Sequence, residues 1–116
     1  MTVVTYKPIY TGNAYLVRSY VDTYDPATDS YTPYTGSGMV VSFAQNADGT
    51  SPLAGLQNLP MGSESPGVFH TIISPASLSG LPALLNQIIY QIVSGGPYNG
   101  VKAVTALKVQ QPRWAQ

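Results

Sequence analysis

Residues 13–25 alternate along the chain: Tyr15, Val17, Ser19, Val21 and Thr23 fall on one face, and Leu16, Arg18, Tyr20, Asp22 and Tyr24 on the other. A period of two in a run rich in Tyr and Val predicts a strand with one buried face and one solvated or contact face. Residues 39–44 (MVVSFA) read as a short core strand, closed by a turn over 45–49 that ends in Asp48-Gly49. Residues 68–74 (VFHTIIS) form another strand, with Val68, His70 and Ile72 on one face and Phe69, Thr71 and Ile73 on the other. Residues 87–94 and 101–110 complete the strand series, separated by a turn over 95–100 (GGPYNG).

The connections carry their own signals. Residues 25–38 open on Asp25-Pro26, turn again at Asp29-Ser30 and end on Gly36 and Gly38, which predicts a long loop or a protruding hairpin. Residues 50–67 hold three prolines and three glycines among scattered leucines, and read as an irregular connection with an edge strand around 53–59. Residues 75–86 predict a helical turn or tight crossover, with Pro82 at a first helical position. About seven short strands and no long helix argue for an all-β, antiparallel β-sandwich forming one domain over 1–116, with a short tail at 111–116.

Composition narrows the function. Of 116 residues only 9% are charged, five acidic against five basic, and the net charge is zero. No long-range field steers nucleic acid or anionic lipid, so neither is expected as a partner. No cysteine is present, which removes disulfides, thiolate metal sites and thiol nucleophiles. The N-terminus has no basic stretch leading into a long apolar run, so the reading is a protein made in the cytoplasm without a secretory signal. No apolar run approaches the ~20 residues of a membrane span.

Catalytic chemistry finds little to work with. His70 is the only histidine, and no pattern supplies the nucleophile and orienting carboxylate that a catalytic histidine needs. Glu64 is the only glutamate and reads as a loop residue, and the aspartates read as turn formers. Asp22, Asp25 and Asp29 do not match the spacing of a calcium loop. Lys102 and Lys108 on one strand read as edge protection against aggregation. The expectation is a non-enzymatic protein with no cofactor, no metal and no catalytic residue.

What the chain has in place of charge is tyrosine. Seven of its nine tyrosines fall within the first 34 residues. Tyr supplies a large rigid contact area at low entropic cost, and it is also a good strand residue. In and beside the 25–38 segment the contact reading is favoured, giving Tyr24, Tyr31, Pro33 and Tyr34 as interface candidates. Arg113 and Trp114 join them, being residue types favoured at interfaces, while a Trp114 that folds back over one end of the sandwich is the other reading.

The spacing of Leu78, Leu81 and Tyr90, followed by Gln91-Ile92-Val93, is similar to the turn before the penultimate strand of immunoglobulin-like sandwiches, with a longer gap between leucine and tyrosine. The chain as a whole, cysteine-free and rich in Tyr, Gly and Thr, resembles the small immunoglobulin-like structural proteins of tailed bacteriophages. That resemblance implies a virion component without catalytic residues, most simply a capsid decoration protein that cements shell subunits through its Tyr-rich loop and its termini. A tail, baseplate or head–tail connector position is the alternative. A small carbohydrate- or receptor-binding sandwich is the second. The implied partners are the major capsid or other virion proteins, and further copies of the chain itself. Deleting residues 110–116 is expected to weaken docking without unfolding the sandwich.

Overall fold

The computed structural model describes residues 6–96 and 98–112. Its strands are β1 (Lys7–Tyr10), β2 (Tyr15–Tyr20), β3 (Asp22–Asp25), β4 (Ser30–Pro33), β5 (Met39–Ala44), β6 (Leu59–Pro60), β7 (Gly62–Ser65), β8 (Val68–Ile73), β9 (Ile88–Gly95) and β10 (Tyr98–Gln110). A single 3-10 turn, Leu81–Leu84, interrupts them, with Pro82 near its start as the sequence predicts. The described residues are therefore all-β. They form a five-stranded sheet in the order β1-β10-β9-β5-β6, a three-stranded sheet β2-β8-β7 and a two-stranded ribbon β3-β4.

The two larger sheets share one core, which gives the molecule its sandwich-like character. Alternation is what allows it. Tyr15 and Val17 of β2, with Phe69 and Ile73 of β8, face Ile9, Val41, Phe43, Ile89, Val93, Leu107 and Val109 of the five-stranded sheet in a single buried cluster. Leu78 and Leu81 from the crossover before β9 enter the same cluster. The buried Tyr15 ring meets Phe43 edge-on at 6.3 Å between centroids, and its hydroxyl donates to Oε1 of Gln91 at 3.0 Å. Gln91 is the one polar side chain among the described residues that is buried.

Burial of the Tyr15 hydroxyl predicts a pH dependence. Burial pushes the Tyr15 hydroxyl up to about 12 from its usual 10.0. Between those values the unfolded chain has lost the proton and the folded chain still holds it, so stability falls as pH rises. The fall is expected to begin near pH 10 and to total on the order of 2 kcal/mol by pH 12. Urea unfolding from pH 8 to 12 checks it, and Tyr15→Phe should remove this component. The same substitution should cost about 1–3 kcal/mol at neutral pH, because Gln91 Oε1 loses its buried partner.

Five expectations need correction. The strands number ten among the described residues rather than about seven, because the run over 13–25 breaks at buried Val21 into β2 and β3, and the connection over 50–67 contains β6 and β7. Its edge strand lies at Leu59–Pro60, not over 53–59, where residues 52–57 instead fold back on β5 through Phe43 N–H to Leu56 O and Leu53 N–H to Phe43 O. The sheets are not wholly antiparallel: β1 runs parallel to β10, with Lys7 beside Leu107 and Tyr10 beside Gln110. The same pairing means that Lys108 stands on a strand flanked on both sides, so it does not guard an edge there. It also makes Gln110 a sheet residue and leaves Pro112 buried, so a deletion beginning at 110 would cut into the fold rather than trim a tail.

Candidate functional site

The β3–β4 ribbon is the protruding hairpin that residues 25–38 permit. All its residues are exposed, so it contributes no side chain to the core. An isolated two-stranded hairpin is marginal in water, and this one is held by local bonds. Asp25 Oδ1 accepts from the Ala27 N–H at 3.0 Å, forming the turn that Asp-Pro announces. Thr23 Oγ1 donates to Thr32 O at 3.2 Å, and Thr28 and Ser30 hydroxyls meet at 2.7 Å.

Tyr24 and Tyr31 stand directly opposite each other across the ribbon. Their rings pack at 4.9 Å between centroids, tilted by 46°. The Tyr24 hydroxyl donates to Asp29 Oδ1 at 2.6 Å, and this bond to a carboxylate raises the Tyr24 pKa above its usual range. Tyr31 remains 70% exposed despite the pairing. The two rings thus form an aromatic platform on an arm held by its own hydrogen bonds.

The root of the arm is equally determined. Val21 N–H donates to Gly67 O at 2.7 Å, Tyr34 N–H to Val21 O at 2.9 Å and Gly67 N–H to Tyr34 O at 3.1 Å, tying both legs to the β7–β8 turn. Pro33 lies so close over Gly67 that a Cβ there would stand 2.9 Å from the Pro33 Cβ. Tyr34 turns inward. Its ring packs on Phe69 at 5.8 Å, and its hydroxyl donates to Ser37 O at 2.8 Å. A Cβ at Gly36 would collide with that ring, and one at Gly96, where φ is +60°, would run into Met39 Sδ and crowd the ring edge.

Of the residues singled out from the sequence, Tyr24, Tyr31 and Pro33 therefore lie together on the arm, while Tyr34 is a half-buried anchor beneath it. Its neighbourhood to Pro33 in sequence suggested a loop tip, and the inward turn follows from a contact with Phe69 that no local pattern announces. Arg113 and Trp114 lie outside the described residues.

A second exposed surface lies outside the residues singled out as interface candidates. On the outer face of the β2-β8-β7 sheet, Leu16 pairs with Ile72 and Tyr20 with Val68, and Tyr20 and Ile72 are 77% and 68% exposed. Between those pairs Arg18 reaches across β8 to Glu64 on β7, with Nε–Oε2 and Nη2–Oε1 distances of 3.0 and 2.8 Å. The pair is exposed, so it contributes little to stability. His70 is Arg18's partner in the β2–β8 register, and its Nδ1 is buried without a hydrogen-bond partner. Alternation marked these positions as an outward face, but only the sheet order brings Arg18 and Glu64 together.

Among the described residues no three His, Asp or Glu side chains cluster as a metal site, and no helix is long and apolar enough to cross a membrane. An apolar cavity of about 160 Å³ lies between the 3-10 turn and residues 53–56, lined chiefly by Leu53, Leu56, Leu78, Leu81 and Leu84. No known protein family, curated protein or solved structure matches the chain.

Proposed function

We propose that this chain is a non-enzymatic immunoglobulin-like module that docks on a protein surface through its tyrosine arm, as a virion structural protein that decorates a capsid. The observation that carries the reading is the β3–β4 arm, fully exposed, internally bonded and rooted by three backbone hydrogen bonds, yet without a part in the core. Rigid aromatic side chains held ready for contact lose little entropy on binding. The low charge of the chain suits close packing of many copies, and repetition over a symmetric shell sums weak contacts into strong attachment.

The immunoglobulin-like assignment is supported by strand order. β10, β9, β5 and β6 follow one another as the G, F, C and C′ strands do in variable-type domains, and β2, β8 and β7 as B, E and D do. Two leucines of the crossover before β9 plug the core. The arm occupies the connection between the strands that correspond to B and C.

The test is co-sedimentation with particles assembled from shell proteins of the same genome. A Tyr24→Ser/Tyr31→Ser variant is expected to fold with Tm unchanged within about 2 °C, since surface changes stay within about 0.5 kcal/mol. Its occupancy should fall at least tenfold, as expected when two central aromatic contacts are removed. Equal occupancy by the variant would exclude the arm as the docking element. Binding of the unmodified protein to a glycan array, lost in the variant, would replace shell docking with sugar recognition on the Tyr24–Tyr31 platform.

A further inference from the structure

The cavity between the 3-10 turn and residues 53–56 has a layered construction. Its floor is the buried leucines Leu56, Leu78 and Leu81, and its walls are the half-buried Leu53 and Leu84. Small exposed residues, Ala54, Ser77 and Gly80, form the mouth. Neither strain nor crowding demands glycine at position 80: its φ is −81°, and a Cβ there would meet nothing within 4 Å. A residue without a side chain at that place keeps the mouth open.

The polar groups of these residues are already engaged. Leu53 N–H donates to Phe43 O, Leu56 N–H to Leu53 O, Leu78 N–H to Pro75 O and Leu81 N–H to Leu78 O. The carbonyls of Leu56 and Leu84 accept from Phe43 N–H and Gln87 N–H, and Ser77 Oγ meets Ser74 Oγ at 3.1 Å. A polar ligand entering here would give up its water without gaining a free donor from the leucines, a cost that an apolar ligand does not carry. Size narrows the class further. The volume of about 160 Å³ is well below the ~300 Å³ at which ordinary ligand sites begin. It is close to the ~150 Å³ of an apolar cavity that accepts one benzene.

We infer that this cavity is a binding site for a small uncharged molecule that presents one compact hydrocarbon ring of benzene size. The ring takes the place of water over three buried leucines, and its own burial is the driving force. The site is separate from the tyrosine arm. The 3-10 turn lies on the crossover that follows the Ile73 end of β8, whereas the arm is rooted on Gly67, just before the Val68 end. The six residues of β8 put about 20 Å between the two. The inference therefore stands whatever the arm docks on.

Benzene is the probe, titrated into the full chain carrying isotope-labelled leucine methyl groups and followed by NMR. The methyl signals of Leu56, Leu78 and Leu81 are expected to move along one saturating curve, half-complete near about 1 mM, while those of Leu16 on the outer face of β2 stay in place. The Tyr24→Ser/Tyr31→Ser arm variant should follow the same curve. Imidazole, a ring of similar size that is uncharged at about pH 8 but has two polar nitrogens, should leave the same methyls in place. Leu53→Phe and Leu84→Phe each enlarge one wall, and benzene should bind to them roughly tenfold more weakly or not at all. Near-ultraviolet dichroism shows which wall variants are folded, and the wild-type titration decides without them. Motionless cavity methyls, shifts that stay linear or reach Leu16 equally, equal binding of imidazole, or undiminished benzene affinity in a folded wall variant would each overturn the inference.

Discussion

Phe43→Ala is expected to destabilise the protein by about 3–5 kcal/mol, the range for truncating a buried aromatic side chain. Phe43 is wholly buried in β5 and touches both halves of the sandwich. Its ring meets Tyr15 from the opposite sheet, and its backbone accepts from Leu53 N–H at 3.0 Å and Gln57 Nε2 at 2.7 Å. The surrounding backbone is held by these bonds as well as by β9, so the site has little freedom to collapse around the missing ring. Domains of this kind have only about 5–15 kcal/mol of stability in total. Urea unfolding should show a lower midpoint with an unchanged slope. Ile72→Ser on the outer sheet face, 68% exposed, provides the comparison and should move stability by no more than about 0.5 kcal/mol. A loss below 1 kcal/mol for Phe43→Ala would mean that the two sheets do not close on Phe43 as described.

The second large effect is expected from a single added methyl group. Gly95 has φ of +97° and ends β9, the central strand of the five-stranded sheet, beside Met39 of β5 on one side and Tyr98 of β10 on the other. A Cβ at this position would run directly into the Gly38 carbonyl oxygen. Gly95→Ala therefore combines a left-handed backbone that costs about 1–3 kcal/mol with crowding that costs about 1–3 kcal/mol more. Gly12→Ala separates the two contributions, since Gly12 also has positive φ, +81°, but nothing within 4 Å of its absent Cβ. Thermal unfolding should therefore show a much larger drop in Tm for Gly95→Ala than for Gly12→Ala. Equal drops would show that backbone conformation alone, and not the approach of β5, requires glycine at 95.

These two sites show how differently the fold is written into the chain. Phe43 lies in an apolar run that reads locally as a core strand, and alternation divides β2 and β8 into two faces in the same local way. The need for glycine at 95 comes from Gly38, more than fifty positions away, whose backbone arrives only when β5 pairs with β9. The hairpin at 25–38 is intermediate. Its turn chemistry is local and legible, but its rigidity depends on the bonds of Val21 and Tyr34 to Gly67.

The sequence by itself determined that the protein is all-β, how the side chains of β2 and β8 divide between two faces, that residues 39–44 form a core strand, where the arm turns, and that Tyr24, Tyr31 and Pro33 lie on it. Alternation and turn preference are properties of neighbouring residues, so they can be read without knowing the partner strand. Tertiary structure alone decided the parallel pairing of β1 with β10, the division of the 50–67 connection into β6 and β7, the inward turn of Tyr34 onto Phe69 and the reach of Arg18 to Glu64. It also decided that the aspartates of the arm and Lys7, over the Tyr15 ring, stand at opposite ends of β2. Each of these depends on residues far apart in the chain, brought together by burial of one shared core, and hydrophobic burial fixes a position without naming its neighbour.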